Sequence, residues 1–426
     1  MSLRVRKKNE GFNEVMLSLL ITQYMGALGN FSKVIPASIA HIIYLLYNAL
    51  FLFYSVYGLY YVLWLKQKGR VPKQFLLYLT FFIYVFISGF INVKDYSIFL
   101  DGVVRLLGTA AIAIYIGYRF NMDRICVIAL RAQMIAVVMT WYLYLFYPNI
   151  VTYGDAFFKD NLIGLFTTKN TCAYEMAFGL LVTLIWSLYY AKGIRRILGL
   201  VFLATEIPLF FACHAVGSQV CVLLTIALAV IFVKKNWKKL GTTFASITTL
   251  FWVAIYIVLP ALSGLLAYLG KSVTLTGRTT IWSGILQFSL QKNFWIGAGY
   301  GTFWYRDDYV SALSSIYSLM GLHELATGAH NLLLEMLLQV GMIGVMLFIS
   351  LVVVSLNMAQ IEKNDGNQLV LVIVFFYTVR SLVERTFNQT SYDLLFFLIV
   401  IAYCIWRSDL QRGEHEKGEC FWTQRV

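Results

Sequence analysis

A few polar side chains in an otherwise apolar chain are of types that could do chemistry together. Arg278 follows Thr276 and Gly277, and further along the chain His330 and Asn331 stand at the start of a long apolar run. A guanidinium group can bind phosphate oxygens through two parallel hydrogen bonds, and a neutral imidazole can accept a proton from a hydroxyl group. These residue types indicate anion binding combined with proton transfer, provided that the fold brings them to one place.

The composition indicates which kind of fold must position these side chains. The chain has 426 residues, of which 60% are hydrophobic and only 13% are charged, and its mean hydropathy is +0.72. A soluble domain carries about 25% charged residues, so a water-soluble enzyme is excluded. Aromatic residues at 16% and only five prolines exclude a disordered chain. We therefore predict a single all-α integral membrane domain over residues 1–426, built as a polytopic bundle of transmembrane helices.

The apolar runs are long enough to cross a bilayer, for which a helix needs about 20 residues. They predict about twelve spans, at residues 12–30, 38–64, 75–92, 97–117, 125–147, 172–191, 197–213, 217–233, 242–266, 332–356, 367–379 and 392–406. Two connecting segments, 148–171 and 267–331, are too long to be simple turns. Long connections of this kind are commonly functional, and we expect ordered structure in the second.

The distribution of basic residues predicts the orientation of the chain. With the N-terminus in the cytoplasm, 22 of the 34 Lys and Arg residues fall in cytoplasmic segments and 10 in the opposite segments. Cytoplasmic loops of membrane proteins collect Lys and Arg, so both termini are predicted to be cytoplasmic, with residues 1–11 leading into a signal anchor. The net charge of +13 is then mainly a topological signal, and it predicts no binding of nucleic acid.

The segment 267–331, predicted to be extracytoplasmic, contains two recognisable local patterns. Apolar residues recur with helical spacing at Ile281, Trp282, Ile285, Leu286 and Leu290, which predicts a short amphipathic helix. The glycines at 297, 299 and 301 follow no strand and open no βαβ unit, so a nucleotide-binding loop is excluded. They indicate tight backbone turns near the membrane surface.

Three stretches of the sequence together resemble a known family. They are TGRTTIWSGILQFSLQKNFWIGAGYGTFW at 276–304, GAHNLLLEMLLQVGMIGVMLF at 328–348 and GLFTTKNTCAYEMAFGLL at 164–181. In order and spacing they resemble the signature of the O-antigen ligase and Wzy-type polysaccharide polymerase superfamily. The motifs occupy about a fifth of the chain, whereas the resemblance in topology covers all of it.

The resemblance implies a GT-C-like, metal-independent glycosyltransferase in the bacterial cytoplasmic membrane, with its active site on the extracytoplasmic face. Such enzymes use polyprenyl-diphosphate-linked glycans as donor and acceptor and need no cofactor. A polymerase joins lipid-linked repeat units of an O-antigen, capsule or exopolysaccharide, whereas a ligase passes the glycan to another acceptor. The expected partners are membrane lipid, the lipid-linked glycans, a chain-length regulator and a flippase.

This activity requires positive charge for the leaving diphosphate and a base for the attacking hydroxyl. Arg278 is the first candidate for the diphosphate, and His330 is the candidate base, since it stands where a helix dipole would favour neutral imidazole. The further candidates for binding diphosphate or glycan are Arg380, Arg385, Lys169, Asn170, Asn331 and Glu335. We expect Asn331 to cap the helix or contact sugar, and Glu335 to orient a partner one turn deeper.

Each of these residues has a structural alternative. Arg278 could anchor the chain at lipid headgroups, Arg380 could join Glu384 and Arg385 in an ion-pair network, and Lys169 with Asn170 could cap a helix. His330 could be a polar residue satisfied at a helix start. Other charged residues lie within predicted spans. Asp101 and Arg105 have the spacing of a pair inside the bundle, while Arg131 could reach an interface or the lipid diphosphate.

One departure from the family pattern bears on the choice between polymerase and ligase. Ligases often carry Ser-Arg where this chain has Ser218 and Gln219, so one phosphate contact is either missing or supplied elsewhere. This favours polymerase over ligase. A transporter and a non-catalytic assembly partner remain alternatives from other classes; repeated halves typical of transporters are not visible in the sequence.

Overall fold

The computed structural model describes residues 3–26, 28–67, 71–154, 160–233, 239–258, 278–322, 328–358, 367–387 and 391–417. The first part of the described chain forms helices α1 to α7, at Leu3–Tyr24, Ala37–Gln67, Phe75–Asn92, Tyr96–Arg119, Met122–Phe146, Pro148–Val151 and Lys169–Ile185. The second part forms α8 to α15, at Ile194–Ala212, Val216–Val233, Leu240–Val253, Arg278–Gln291, Asp307–Leu319, Leu332–Met358, Asn367–Ser381 and Tyr392–Lys417. The predicted all-α class is confirmed, with one two-stranded hairpin as the only sheet among these residues.

The helices match the apolar runs from which the spans were predicted. Among the described residues, seven helices are long and apolar enough to cross a membrane, and α9, α14 and α15 contain shorter apolar segments. The chain is therefore a membrane protein, whereas the number of twelve spans remains a prediction. The first predicted span ran to residue 30, but α1 ends at Tyr24. The end of the ninth, 259–266, lies outside the described residues.

Small residues allow the bundle helices to pack closely. A Cβ atom on Gly58 of α2 would lie 2.4 Å from the carbonyl oxygen of Ala111 on α4. On the same helix, a Cβ on Gly117 would lie 2.8 Å from the carbonyl oxygen of Ile399 on α15. Membrane helices associate through such close backbone approaches, because lipid removes the hydrophobic drive between them. Helix α4 is thereby held between α2 and α15.

The described part of segment 148–171 contains a short helix and a two-stranded hairpin. Helix α6 leads into strand β1, Thr152–Tyr153, which pairs antiparallel with β2, Asn161–Leu162. Residues 155–159 lie outside the described part. The Thr168 hydroxyl then accepts a hydrogen bond from the Thr171 amide at 3.1 Å and caps α7. The cap predicted for Lys169 and Asn170 is thus made by the residue before them.

The segment 267–331 contains the predicted helix and one more. Helix α11 begins at Arg278 and buries Trp282, Ile285 and Phe288 on one face, as an amphipathic helix does. Leu290 was wrongly placed on that face, since it is 70% exposed. A 3-10 turn, Phe303–Tyr305, comes next and is followed by helix α12. Residues 267–277 and 323–327, and with them the predicted lead-in Thr276–Gly277, lie outside the described residues.

Helix α13 is interrupted at Gly341. The turn at residues 297–301, which we call the glycine turn, and the residues just before it pack against α13 there. Gly341 inside α13 has φ 67° and ψ −177°, which are not helical angles. Segment 294–299 forms hydrogen bonds with the backbone groups on both sides of Gly341. The amide of Met342 donates to the carbonyl of Phe294 at 2.8 Å, and those of Ala298 and Gly299 donate to the carbonyls of Leu338 and Gln339 at 2.9 and 2.8 Å.

Three glycines in this segment and directly after it have left-handed backbones, with φ of 76° at Gly297, 101° at Gly299 and 75° at Gly301. The prediction of tight turns is confirmed. However, the turn contacts α13 at Gln339, about 10 Å along the helix from its first turn. It therefore lies within the bundle rather than only at its rim, where irregular backbone requires partners such as those that α13 provides.

Candidate functional site

Arg278 is the first residue of α11 and reaches the connection between α14 and α15. Its Nη1 donates to the carbonyl oxygen of Val383 at 2.6 Å, and its Nη2 donates to Oε1 of Glu384 at 2.9 Å. The side chain is 23% exposed. Its guanidinium is thus fixed on one side by the protein and reaches solvent on the other.

His330 contacts the same carboxylate. Its Nδ1 lies 3.4 Å from Oε2 of Glu384, and its side chain is 33% exposed. Its backbone has φ 48°, a left-handed conformation that few residues other than glycine adopt. Strained backbone of this kind concentrates at functional sites, where the surrounding structure maintains it. We call Arg278, Glu384 and His330 the Glu384 cluster.

The electrostatics of the cluster keep Glu384 ionised. Burial alone would raise the pKa of this carboxyl group. The hydrogen bond with His330 and the positive charges of Arg278 and Arg380 outweigh burial and lower the pKa of Glu384 below its ordinary value of 4.5. A carboxylate is therefore present at neutral pH to hold both partners.

Asn331 fixes the start of the helix that follows His330. Its Oδ1 accepts hydrogen bonds from the amides of Leu333 and Leu334 at 3.0 and 3.2 Å, and its Nδ2 donates to the carbonyl of Leu382 at 2.9 Å. The capping role predicted for it is present in the structure. Its other predicted role, direct contact with sugar, is not supported by this geometry, because the residue is buried.

Glu335 and two indoles fix the backbone before His330. Glu335 accepts hydrogen bonds from Trp304 Nε1 at 2.8 Å and from the amide of Ala329 at 3.0 Å. Trp282 Nε1 donates to the carbonyl of Ala329 at 2.9 Å. Both backbone groups of Ala329 are therefore held, and the orienting role predicted for Glu335 has a geometric basis.

Arg380 lies inside a helix, whereas the predicted span ended one residue before it, at 379. It belongs to the last turn of α14, is buried, and pairs through Nη1 with Glu175 at 3.3 Å and with Asp393 at 3.4 Å. Its guanidinium carbon lies 4.8 Å from the ring centroid of Tyr174. The ion-pair alternative predicted for it is correct in kind, but the carboxylate partners are Glu175 and Asp393 rather than Glu384.

Arg385 and the first turn of α7 carry the remaining candidate residues. Arg385 is exposed and packs against Gly328, where an added Cβ would be 2.8 Å from its Cδ atom, so it lies beside the loop that leads to His330. Asn170 is exposed one helical turn before Tyr174, and Lys169 precedes it. Among the described residues the carboxylate of Glu384 pairs with Arg278 and His330. The structure therefore does not bring Lys169 and Asn170 into the Glu384 cluster.

The helix that carries Gln219 packs near a buried cation. Helix α9 carries Gly217 near its start, where an added Cβ would be 3.0 Å from the Tyr174 hydroxyl. Arg380 stands over the ring of the same Tyr174. The cation Arg380 therefore lies near the start of α9, on the face of Gly217.

The other charged residues named from the sequence lie elsewhere. Asp101 and Arg105 pair at 2.9 Å as predicted, but the carboxylate is 60% exposed, so the placement inside the bundle was wrong. Arg131 pairs with Glu14 at 3.2 Å, and Arg124 binds the same carboxylate. Neither group includes a member of the Glu384 cluster.

Sequence reasoning missed the residue that connects the site. Glu384 was considered only as a partner of Arg380 and Arg385, whereas it joins Arg278 to His330, 106 and 54 residues away in sequence. The sequence feature that could have indicated Glu384 is that a carboxylate between apolar spans is unusual in a chain with only 13% charged residues. Trp282, which donates to the loop before His330, and Trp304, which donates to Glu335, were likewise not recognised.

Comparison with known proteins identifies the region that contains the site. Residues 207–349 match the family model described as O-antigen ligase. No curated protein matches the chain. The match confirms the resemblance to the O-antigen ligase and Wzy-type superfamily and supports a ligase- or polymerase-type function and a glycosyltransferase-like membrane enzyme. Arg278, His330 and Glu335 lie inside the matched region, and Glu384 lies outside it.

Proposed function

We propose, from the match of residues 207–349 to the O-antigen ligase family model, that the chain polymerises lipid-linked oligosaccharide repeat units of a surface polysaccharide. The donor is a polyprenyl-diphosphate-linked glycan, and transfer takes place on the extracytoplasmic face of the bacterial cytoplasmic membrane. The observation that carries this proposal is the Glu384 cluster, in which one carboxylate holds a partly exposed guanidinium and a partly exposed imidazole. A glycosyl transfer from a diphosphate requires one group of each kind.

Arg278 binds the leaving diphosphate in this proposal. A guanidinium has five N–H donors, and the contacts with Val383 and Glu384 use one on each terminal nitrogen. The remaining donors can bind phosphate oxygens, and a fixed cation stabilises the charge that develops on them without reorganising. This role requires no metal ion, and metal independence is part of the proposal.

His330 acts as the base toward the acceptor. The carboxylate of Glu384 lies on the Nδ1 side of the ring and favours the tautomer with its proton on Nδ1. Nε2 then has a free lone pair for the proton of the acceptor hydroxyl. The arrangement resembles the way in which a carboxylate orients histidine in hydrolytic triads.

The bond changes follow from these two roles. The acceptor hydroxyl transfers its proton to His330 Nε2 as its oxygen forms a bond with the anomeric carbon of the donor glycan. The bond between that carbon and the diphosphate oxygen breaks, and its electron pair leaves with the diphosphate beside Arg278. Arg385 and Lys169 supply additional positive charge near the polyprenyl diphosphate, and Asn170 offers a polar contact. The buried Arg380 sets the position of Tyr174.

Transfer of the glycan to a different acceptor, as in a ligase, is the second candidate, because the matched family is described by that activity. The two differ in what accumulates when the chain is lost. Loss of a polymerase leaves single lipid-linked repeats, whereas loss of a ligase leaves long lipid-linked polymer. A deletion strain that accumulates long polymer would replace the polymerase proposal with the ligase.

The activity itself is tested with purified chain and a defined lipid-linked repeat in detergent. We expect a ladder of extended products from the wild-type chain and none from Arg278→Ala or His330→Ala. Both variants should insert in the membrane at wild-type levels. Wild-type ladders from both variants would remove the assignment of the site, and a wild-type chain that moves glycan across vesicles without extending it would favour a transporter.

A further inference from the structure

A second polar site, separate from the Glu384 cluster, lies in a cavity of about 350 Å³. It is formed where the connection between α3 and α4 meets segment 302–308. Eight residues line it: Lys94, Asp95, Ile98, Thr302, Tyr305, Arg306, Asp307 and Asp308. This volume falls within the range of about 300–1,000 Å³ that is typical of small-molecule sites.

The ion pairs of this cavity fix its walls. Asp308 Oδ2 pairs with Arg306 Nη2 at 2.8 Å and with Lys94 Nζ at 2.9 Å. Arg306 Nη1 also donates to the carbonyl of Asn92 at 3.1 Å, and its guanidinium carbon lies 3.6 Å from the ring centroid of Tyr309. Two cations and one carboxylate are therefore engaged in holding the two sides of the cavity together.

Two other groups in the cavity remain available to a ligand. The side chain of Tyr305 is exposed, with 70% of its surface accessible. The carboxylate of Asp307 is exposed, and among the described residues no hydrogen bond or ion pair engages it. An aromatic face next to a free carboxylate suits the ring of a sugar, which presents C–H groups on one face and hydroxyl donors at its edge.

The charge of the cavity distinguishes between ligands. Its lining includes three Asp residues against one Lys and one Arg, so it carries a net negative charge. An anionic lipid headgroup or a diphosphate is disfavoured there, whereas an uncharged polyol is not. The cavity therefore differs in chemistry from the cluster around Arg278.

A chain of contacts connects the cavity to His330. Tyr305 follows Trp304, whose Nε1 donates to Glu335 at 2.8 Å, and Glu335 holds the amide of Ala329 next to His330. Thr302, in the cavity wall, donates from its hydroxyl to the carbonyl of Ala298 in the glycine turn at 2.8 Å. The cavity wall and the loop before His330 are therefore connected through Trp304 and Glu335.

We propose that this cavity is a subsite for uncharged sugar residues of the glycan substrate, connected to His330 through Trp304 and Glu335, with Tyr305 as stacking platform and Asp307 as hydroxyl acceptor. The inference rests on the proposed glycosyl transfer. It assigns the acceptor glycan a binding site separate from the diphosphate site.

The test uses the full chain in nanodiscs and two readouts. One is extension of the lipid-linked repeat, and the other is binding of oligosaccharides that mild acid releases from the polysaccharide of the same strain. For Tyr305→Ala and Asp307→Ala we expect at least a tenfold rise in KM and in the oligosaccharide Kd, with kcat much less affected. Tyr305→Phe keeps the ring and should bind like the wild type. Tyr96→Ala, an exposed tyrosine outside the cavity lining, is the matched control.

The outcomes separate this inference from the proposed function. If wild-type chain extends the repeat, Arg278→Ala does not, and Tyr305→Ala has unchanged KM and Kd, the subsite is wrong and the function stands. If no extension occurs but oligosaccharide binding depends on Tyr305, the cavity is a glycan-binding site, the proposed transfer fails, and the role of the cavity as a subsite of that reaction fails with it. Loss of binding to anionic vesicles in Tyr305→Ala, without any oligosaccharide binding by the wild type, would assign the cavity to lipid headgroups and overturn the inference. Unchanged thermal unfolding of the variants confirms that they fold.

Discussion

Replacing Gly341 by alanine tests whether the interrupted helix positions the site. The backbone of Gly341 has φ 67° and ψ −177°, a region that is essentially restricted to glycine and costs other residues about 1–3 kcal/mol. The added Cβ would also lie 2.3 Å from the carbonyl oxygen of Trp295 and 2.4 Å from the amide nitrogen of Ile296. Both are backbone atoms, so a side-chain rotation cannot relieve the overlap.

The destabilisation expected for Gly341→Ala follows from the displacement of segment 294–299. Relief of the overlap displaces segment 294–299, whose backbone hydrogen bonds to α13 contribute about 0.5–1.5 kcal/mol each. Loss of two of them together with the strain at residue 341 amounts to about 3 kcal/mol. The same displacement shifts Trp304 and thereby Glu335, which holds the loop before His330. We therefore expect Gly341→Ala to lower both the unfolding midpoint and the rate of extension.

The assay compares Gly341→Ala with Gly11→Ala in thermal unfolding and in extension of the lipid-linked repeat. Gly11 lies in helix α1 with nothing within 4 Å of an added Cβ, so its replacement should be neutral or stabilising by about 0.5–1 kcal/mol. We expect a midpoint several degrees lower for Gly341→Ala only. If both variants unfold and extend glycan alike, the insertion of segment 294–299 does not position the site.

Three further predictions concern the charged groups. Glu384→Gln should lower kcat of extension about 10- to 100-fold, because charge-assisted hydrogen bonds to Arg278 and His330 are worth about 1.5–3 kcal/mol each; wild-type kinetics would contradict this. Because the pKa of Glu384 is lowered in the folded chain, its carboxylate stabilises the fold above the ordinary glutamate pKa, and this stability is lost as pH falls through the folded value. The difference in unfolding midpoint between wild type and Glu384→Gln should therefore shrink from neutral pH to about pH 3, and a constant difference would count against the pairing. Arg380→Ala should destabilise the chain by about 3–5 kcal/mol, because it leaves two buried carboxylates without a cation; thermal unfolding equal to that of the exposed control Arg195→Ala would refute it.

The helices were predictable from sequence because few backbone structures are stable in a lipid environment. A spanning segment must satisfy its own backbone hydrogen bonds and expose apolar side chains, so apolar runs alone locate most helices. The interruption of α13 was not predictable in this way. Gly341 lies in a continuous apolar run, and only the partner segment 294–299 makes the non-helical angles favourable.

The site was predictable in its residue types but not in its pairings. Arg278 and His330 could be named because charge and imidazole are rare in this chain and stand in recognisable motifs. Their connection depends on Glu384, which the connection between α14 and α15 brings to them from far along the sequence. The same long-range packing gave Arg380 its partners Glu175 and Asp393. Spacing along one helix predicted the pair of Asp101 and Arg105, whereas pairs between helices depend on packing, which that spacing does not show.

Extension of a defined lipid-linked repeat by purified chain tests the central claim most directly, with Arg278→Ala, Arg278→Lys and Arg195→Ala measured together. Arg195 is an exposed arginine outside the site and serves as the control for loss of a positive charge. The account predicts product ladders from the wild type and Arg195→Ala, none from Arg278→Ala, and strongly reduced extension by Arg278→Lys, since lysine cannot reproduce the forked contact. A full product ladder from Arg278→Ala would contradict it.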